Sequence, residues 1–187
     1  MKVIDTPIPG LRVIEPKVHT DDRGFFMETY QDRRYKEAGI VDDFVQDNRS
    51  FSTKGVLRGF HYCFGPSQSK LVFVSSGEAY VVAADIRKRS PTFSQCWGLE
   101  LSEDNNRQIY LATGLASSFL VTGEYASVHY KVSSIYDPLI EGGVRWNDPV
   151  LGVDWPGTSP ILNPRDAEFP MLCDIPDDRL PHFEILN

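Results

Sequence analysis

Residues 70–86 read KLVFVSSGEAYVVAADI, and this segment says most about the fold. Valine, phenylalanine, tyrosine and isoleucine recur in it, and β-branched and aromatic side chains favour extended backbone. Ser76 and Gly77 interrupt it in the middle, which is typical of a turn. We therefore predict two strands here, residues 70–75 and 78–86.

Similar short segments occur on both sides of this centre. Further strands are predicted over residues 11–16, 25–30, 43–47, 56–62, 96–101, 107–111, 118–121 and 126–133. Many short strands separated by turns indicate an all-β sandwich or jelly-roll barrel. Residues 32–38 predict a short helix ended by Gly39. From about residue 137 the chain is rich in proline, so we expect an irregular wrap around the barrel with a short helix near Asp166.

Length and charge exclude several classes of protein. The 187 residues suit a single domain, residues 1–187, and the net charge of −7 comes without a basic stripe that would bind nucleic acid. No apolar run approaches the ~18 residues of a membrane span, and the first residues lack the apolar stretch of a signal peptide. Three widely spaced cysteines suggest free thiols in a reduced, cytoplasmic setting.

The segment richest in chemically active side chains is GVLRGFHY, residues 55–62. Strict alternation along a strand would send Arg58 and His61 to opposite faces. A bulge at Gly59 would let both point into one cavity. This predicts a histidine base beside an arginine that holds an anion; the alternative is a hydrogen-bonded core histidine and a surface arginine.

Three other polar residues lie in predicted strands. Tyr130 shares its parity with Val128 and Val132 and is expected to point into the barrel, as a core residue or as a proton donor. His129 has the opposite parity and is expected to face outward. Lys70 opens an apolar strand, where it either reaches the rim or lies inside as a cation.

A metal site finds little support in the sequence. A metal-binding barrel of this kind needs two or three histidines, commonly as His-x-His, together with a carboxylate. The chain has four histidines, and His61 is followed by Tyr62 and Cys63. We predict neither a metal nor another cofactor.

Several motifs, taken in order, resemble those of the dTDP-4-dehydrorhamnose 3,5-epimerase family. They are TDDRGFF at 20–26, QDN at 46–48, residues 55–62, QSKLV at 68–72, GE at 77–78, DIR at 85–87, SPTF at 90–93 and WNDP at 146–149. The likeness covers about residues 1–172. It implies a cupin jelly roll that works as a homodimer without metal or coenzyme and inverts carbons beside the ketone of a nucleotide-linked 4-keto-6-deoxyhexose. It also implies that the N-terminal strand crosses to the partner and lends it Arg23.

The resemblance assigns four catalytic roles. His61 matches the general base, Asp166 the carboxylate that orients it, Tyr130 the proton donor on the opposite face of the sugar, and Lys70 the cation beside the enolate. These types suit the reaction, because a proton next to a ketone needs a base poised near neutral pH and an enolate oxygen needs a fixed positive charge.

The resemblance also implies a larger set of binding residues. Those expected at the nucleotide and diphosphate are Arg23, Glu28, Gln46, Asp47, Asn48, Arg58, Glu141 and Arg165. Phe26 and Tyr136 are expected to contact a ring of the base or sugar. Arginine suits this work because its planar guanidinium holds two phosphate oxygens at once. The expected partner is therefore a nucleotide-diphosphate sugar.

The chain departs from the family pattern at three positions. Ser117 stands where the family usually has a histidine, Val81 where it has an aspartate, and Cys63 where it often has a glutamine. We place Ser117 among the substrate-binding residues. The enzyme could still invert both centres, invert only one, or take a 3-deoxy, CDP-linked or GDP-linked sugar. A sugar-nucleotide binding protein without catalysis, a ketoisomerase and a metal-dependent cupin remain as alternatives.

Overall fold

The computed structural model describes residues 1–65, 68–157 and 159–183. Most of its regular structure is β-strand, as the sequence predicts. The strands are β1 (Lys2–Asp5), β2 (Leu11–Glu15), β3 (Val18–Asp21), β4 (Gly24–Met27), β5 (Gln46–Thr53), β6 (Leu57–Cys63), β7 (Lys70–Asp85), β8 (Cys96–Ser102), β9 (Gln108–Leu111), β10 (Leu115–Val132) and β11 (Glu141–Gly143). The helices are α1 (Asp32–Glu37) and α2 (Pro164–Ala167), with 3-10 turns at Leu172–Asp174 and Asp177–Arg179.

Nine strands form one antiparallel sheet, and the two longest strands are at its centre. The order is β1-β2-β9-β7-β10-β6-β11, while β5 pairs with β10 and β8 pairs with β7. Because β7 and β10 each continue far beyond a single pairing, each joins different partners at its two ends. This branching folds the sheet over a shared interior. The strands β3 and β4 form a separate two-stranded hairpin.

The predicted break at Ser76 and Gly77 does not end the strand. Residues 70–85 form one strand, in which Gly77 has a φ of +78° and the pairing with β10 shifts register. A Cβ atom on Gly77 would approach the Tyr125 carbonyl oxygen to 1.9 Å, so only glycine fits here. The two strands predicted over 118–121 and 126–133 are likewise parts of one long β10. Turn-forming residues thus mark bulges here instead of chain reversals.

Other boundaries shift by a few residues. The strand predicted over 43–47 begins at Gln46 and continues to Thr53, and the one predicted over 25–30 is the shorter β4. The predicted helix at 32–38 is confirmed as α1, in which the Gln31 side chain accepts the backbone N–H of Arg34 at the N-terminus.

Alternating side chains of the long strands supply the core. One buried cluster includes Val74, Leu101, Ile109 and Leu111 between β7, β8 and β9. A second joins Leu57, Phe60 and Tyr62 of β6 to Trp155 and Leu172 of the C-terminal segment. The wrap predicted from residue 137 therefore packs on the sheet, and α2 is the short helix expected near Asp166. Residue 158 and residues 184–187 of this wrap lie outside the described part of the chain.

Within the described residues, no helix combines the length and the apolar character that crossing a membrane requires.

Candidate active site

A cavity of about 390 Å³ opens inside the folded sheet, between β5, β6, β7 and β10. One part of its wall is apolar, with Val72, Val81, Phe119, Val128 and Val132. The rest is polar. The polar and aromatic lining residues are Gln46, Asn48, Ser50, Arg58, His61, Gln68, Lys70, Ser117, Ser118, Tyr130, Tyr136 and Glu141.

His61 and Asp166 form a hydrogen-bonded pair at the cavity wall. Nε2 of His61 lies 2.9 Å from Oδ1 of the buried Asp166, and the Gly59 backbone N–H donates to Oδ2 at 2.9 Å. Burial raises the pKa of Asp166, but the hydrogen bonds from His61 and Gly59 outweigh it and bring that pKa below its usual value. An ionised Asp166 accepts the Nε2 proton, so neutral His61 carries its lone pair on Nδ1.

Asp166 is held in place by the helix it belongs to. Asn163 caps α2 and its Oδ1 accepts the Asp166 backbone N–H at 2.7 Å, while Pro164 occupies the first turn. Proline at this position leaves no N–H unsatisfied and has the φ that a helix needs. The sequence Asn-Pro-Arg-Asp therefore builds the turn that carries the carboxylate to His61.

The predicted bulge at Gly59 is present. Gly59 has a φ of +102°, and the pairing between β6 and β10 shifts register at this point. A Cβ here would approach the Ser117 carbonyl oxygen to 2.5 Å. The bulge brings both Arg58 and His61 to the cavity, which strict alternation would forbid.

Lys70 lies inside the cavity and not at the rim. Its Nζ donates to Ser117 Oγ at 2.9 Å and to the His61 carbonyl oxygen at 3.3 Å. Burial lowers the pKa of Lys70, and the nearby Cys63 and Glu141 only partly oppose this. The ammonium is thus held by neutral acceptors, which leaves it available to a developing anion.

Tyr130 points into the barrel as its parity predicts, and His129 faces the other way, where its ring stacks on Phe73. Burial raises the pKa of Tyr130. The nearby Glu141 raises this pKa further, whereas Arg58 lowers it. The phenol is therefore protonated at neutral pH and able to donate.

Charged and polar side chains surround the mouth of the cavity. Arg165 Nη2 donates to Glu141 Oε2 at 2.6 Å. Gln46 donates to Asn48 Oδ1 at 2.8 Å and accepts the backbone N–H of Tyr136 at 3.2 Å. Arg58 Nε donates to Ser52 Oγ at 3.1 Å, which leaves other guanidinium N–H groups for a ligand.

Five predicted binding residues do not line this cavity within one chain. One of them, Arg165, contacts the lining residue Glu141. Arg23, Phe26 and Glu28 belong to the β3–β4 hairpin or its end, and Glu28 pairs with Arg34. Asp47 also points away, because side chains alternate along β5 and its neighbours Gln46 and Asn48 face inward. Asp47 instead accepts from Lys131 Nζ at 2.7 Å. Within one chain Asp47 therefore points away from this cavity, and its assignment to a ligand contact stays a prediction.

Several residues that line or adjoin the site were not predicted from the sequence. Ser50 lines the cavity, and its parity with Asn48 could have revealed it. Gln68 lines it too and donates to the Ser134 carbonyl oxygen at 3.0 Å. Phe169 contacts the His61 ring, with centroids 5.6 Å apart, and no local pattern marks it.

Comparison with known sequences identifies the family. A sequence model described as dTDP-4-dehydrorhamnose 3,5-epimerase matches residues 5–174. The chain belongs to the dTDP-4-dehydrorhamnose 3,5-epimerase family. The enzyme of that name from Salmonella typhimurium is 46% identical over 175 residues, covering 92% of this chain and 96% of its own. The relative from Neisseria gonorrhoeae, also 46% identical, is longer, and the match spans 51% of it.

Solved structures of this family share the fold. The dTDP-6-deoxy-D-glucose-3,5-epimerase of Legionella pneumophila Philadelphia 1, solved in complex with dTDP-4-keto-L-rhamnose, has a TM-score of 0.95 at 45% identity over 98% of this chain and 99% of that one. A 3'-monoepimerase from Streptomyces bikiniensis, in complex with dTDP-quinovose, has a TM-score of 0.85 at 34% identity over 90% and 86%. The predicted cupin-like jelly roll is confirmed, and the chain is an epimerase, an isomerase.

No group of three or more histidine, cysteine, aspartate or glutamate side chains is arranged for a metal ion among residues 1–65, 68–157 and 159–183. The polar lining of the cavity offers proton-transfer groups and hydrogen-bond donors instead.

Proposed function

We propose that the protein inverts C3 and C5 of a dTDP-linked 4-keto-6-deoxyhexose by proton transfer. The single observation that carries this proposal is the His61–Asp166 pair opening onto a cavity that also holds Lys70 and Tyr130. These groups supply a base, a cation and an acid around one space. Proton removal beside a ketone and its return need the same three groups.

The first step is removal of a carbon-bound proton. Nδ1 of His61 takes the proton, and the electron pair of the C–H bond moves to the ketone oxygen to form an enolate. Asp166 stabilises the resulting imidazolium through the Nε2–H bond. Its pKa, below the usual value, keeps it ionised throughout this step.

The second requirement of the reaction is to stabilise the negative charge on the enolate oxygen. The Lys70 ammonium is held by Ser117 Oγ and a backbone carbonyl oxygen, and no carboxylate of the described residues accepts a hydrogen bond from it. Developing negative charge on the ketone oxygen therefore gains a strong partner only as the reaction proceeds, which lowers the barrier. Ser117 acts here through Lys70 as the acceptor that orients it.

The third element is reprotonation from the other face of the sugar. Tyr130 donates its phenolic proton to the carbon, and the resulting phenolate recovers a proton from solvent, as His61 releases one. The raised pKa of Tyr130 keeps the donor loaded between turnovers. At each inverted carbon, the proton that is added therefore comes from Tyr130 and is not the proton that His61 removed.

The nucleotide end is assigned to the cavity mouth. Arg58 lines the cavity, and Arg165 pairs with the lining residue Glu141. A diphosphate would replace Glu141 on the guanidinium through two parallel hydrogen bonds. Gln46, Asn48 and Tyr136 line the same region and supply amide and ring contacts.

We also propose a homodimer in which the β3–β4 hairpin serves the partner's site. Its aromatic residues Phe25 and Phe26 are 60% and 72% exposed, unusual for side chains of this size. Arg23 is at the hairpin tip, exposed and paired with Asp21. Transfer of the hairpin to a second copy would bury the rings and explain why Arg23, Phe26 and Glu28 are far from their own cavity.

The reaction is tested by proton exchange. The protein is incubated in heavy water with dTDP-4-keto-6-deoxyglucose, and deuterium at C3 and C5 is followed by NMR. Label at both carbons is expected, and label at one carbon would restrict the reaction to a single centre. No label from folded protein, with CDP- and GDP-linked analogues included, would contradict the proposed function.

Two histidine variants identify the base. His61→Ala is expected to abolish exchange at every labelled carbon. His129→Ala is the matched control, because its ring is outside the cavity on the same sheet. Exchange near the wild-type rate in His61→Ala would show that another group takes the proton.

A further inference from the structure

The ring of Phe169 lies directly against the proposed base. Its centroid is 5.6 Å from that of the His61 ring, and the two planes meet at 86°. Phe169 follows Asp166 by three residues and lies just beyond the end of α2, so the segment that carries the carboxylate also brings the aromatic ring to the imidazole. His61 thus has a polar contact at Nε2 and an aromatic contact on its ring.

The position of the Phe169 ring is set from two sides. A Cβ on Gly143 would come within 2.3 Å of two atoms of this ring, so the ring occupies the space that glycine leaves. The Arg165 guanidinium lies over the ring, 5.5 Å from its centroid. Arg145 Nε also donates to the Phe169 carbonyl oxygen at 2.9 Å, which fixes the backbone.

We call the space that Gly143 leaves for the Phe169 ring the notch. It lies next to the base because of the way the strands pair. In the pairing of β11 with β6, Gly143 is directly opposite His61. Cross-strand neighbours of an antiparallel pair are close enough for their side chains to touch. A glycine there leaves a gap beside the imidazole, and Phe169 fills it from the C-terminal segment.

We propose that Phe169, seated in the notch at Gly143, is a positioning residue for His61. The Asp166 hydrogen bond fixes one nitrogen but leaves the imidazole free to swing about that contact. The Phe169 ring blocks this swing and so keeps Nδ1 directed at the cavity. The inference rests on the proposed function, since it assigns to Phe169 the orientation of that reaction's base.

Three variants test the notch. Phe169→Ala removes the ring, and Gly143→Ala leaves the ring in place but adds a methyl group where it sits. Gly143 has no positive φ, so alanine is compatible with its backbone. The double variant Phe169→Ala/Gly143→Ala has room for the methyl group. Phe93→Ala, at a 40% exposed phenylalanine elsewhere, is the control for aromatic truncation.

We expect both single variants to lower kcat roughly ten- to a hundredfold, the cost of misplacing a catalytic group by about 1 Å. KM should change by less than about threefold, and Phe169→Leu should restore part of kcat. The double variant should be no slower than Phe169→Ala, because the added methyl group then displaces nothing. Further slowing by Gly143→Ala in the Phe169→Ala background, or a Phe169→Ala kcat within about twofold of wild type, would overturn the proposal.

A second readout does not depend on turnover. NMR relaxation of the His61 side chain should show one rigid ring orientation in the wild type and exchange between orientations in Phe169→Ala, while Nε2 stays protonated on Asp166 in both. A ring as rigid in the variant as in the wild type would contradict a positioning role. If the wild type shows no deuterium exchange at all, the proposed function fails, while this measurement still tests the contact between Phe169 and His61.

Discussion

Replacing Asp166 by asparagine changes one atom, and the structure determines how the new amide must sit. Oδ2 of Asp166 accepts the Gly59 N–H, and Oδ1 contacts His61 Nε2. An asparagine has one oxygen, which the Gly59 N–H requires. Its NH₂ group then faces Nε2, which must become the acceptor. The imidazole proton moves to Nδ1, the atom that should take the substrate proton.

The expected loss of rate follows from two free-energy costs, that of flipping the amide and that of losing the negative charge. Flipping the amide restores the tautomer but sets two buried donors, NH₂ and Gly59 N–H, against each other at a cost of about 1–3 kcal/mol. Loss of the negative charge removes a further ~1.5–3 kcal/mol from the bond that stabilises the imidazolium. At 1.36 kcal/mol for each factor of ten, these sum to a rate loss of roughly 10²–10⁴.

The assay is deuterium exchange into the 4-keto sugar, normalised to folded protein. Asp148→Asn is the matched control, because Asp148 is as buried as Asp166. In the described part of the chain, Asp148 accepts only from backbone N–H groups, those of Val150, Leu151 and Leu172. The control should lower the melting temperature and leave the exchange rate of the folded fraction near wild type. A folded Asp166→Asn protein exchanging within tenfold of wild type would refute the tautomer reasoning.

Variants at three further positions examine the other groups in the cavity. Lys70→Met should abolish exchange and raise the melting temperature by ~2–4 °C, as expected for relief of about 1 kcal/mol of burial penalty in a chain of this length. The pKa of Lys70 is lower in the folded than in the unfolded protein, so the gain in stability of Lys70→Met should be full below the folded pKa and shrink as pH rises through it toward 10.5. Urea unfolding at several pH values measures this gain. A gain that does not change with pH would contradict a buried ammonium. Ser117→Ala should slow exchange about tenfold by removing the hydroxyl that holds Nζ, whereas Ser117→Thr should stay within about threefold of wild type; equal rates in both would remove Ser117 from the mechanism. Tyr130→Phe should retain loss of the substrate proton to solvent but form little inverted product by NMR, and equal decreases in both would argue against Tyr130 as the acid.

The local sequence was enough to predict most of the strands and the direction of several side chains. Alternation placed Tyr130 inside and His129 outside, because the period of two is a property of any extended chain. Gly59 predicted the bulge correctly, since a glycine between two functional residues relaxes that alternation. The strand break predicted at Ser76–Gly77 was wrong, because the same residues that make turns also make bulges in long strands.

The family resemblance grouped residues that local patterns could not group. The structure brings His61, Lys70 and Tyr130 to one cavity, and it places Asp166 on His61 Nε2. The resemblance's assignment of Asp47 stays a prediction, because the neighbours of Asp47 on β5 face inward and Asp47 does not line the cavity of its own chain. The resemblance implied that Arg23 serves the partner's site but assigned neither copy of the chain to Phe26 and Glu28. A motif records which residue types occur, whereas the direction of a side chain depends on the register of its strand.

The amino-acid sequence by itself determined an all-β protein with a histidine, a lysine and an inward-facing tyrosine among its strand residues, while their roles as base, cation and proton donor rest on the family resemblance. Local preferences and alternation are enough for that, because they act within a few residues. Only the tertiary structure determined that Lys70 is held by Ser117 and that Phe169 fills the gap at Gly143 beside His61. These contacts join segments far apart in the chain, and they depend on strand register and on the path of the C-terminal wrap, which no local pattern encodes.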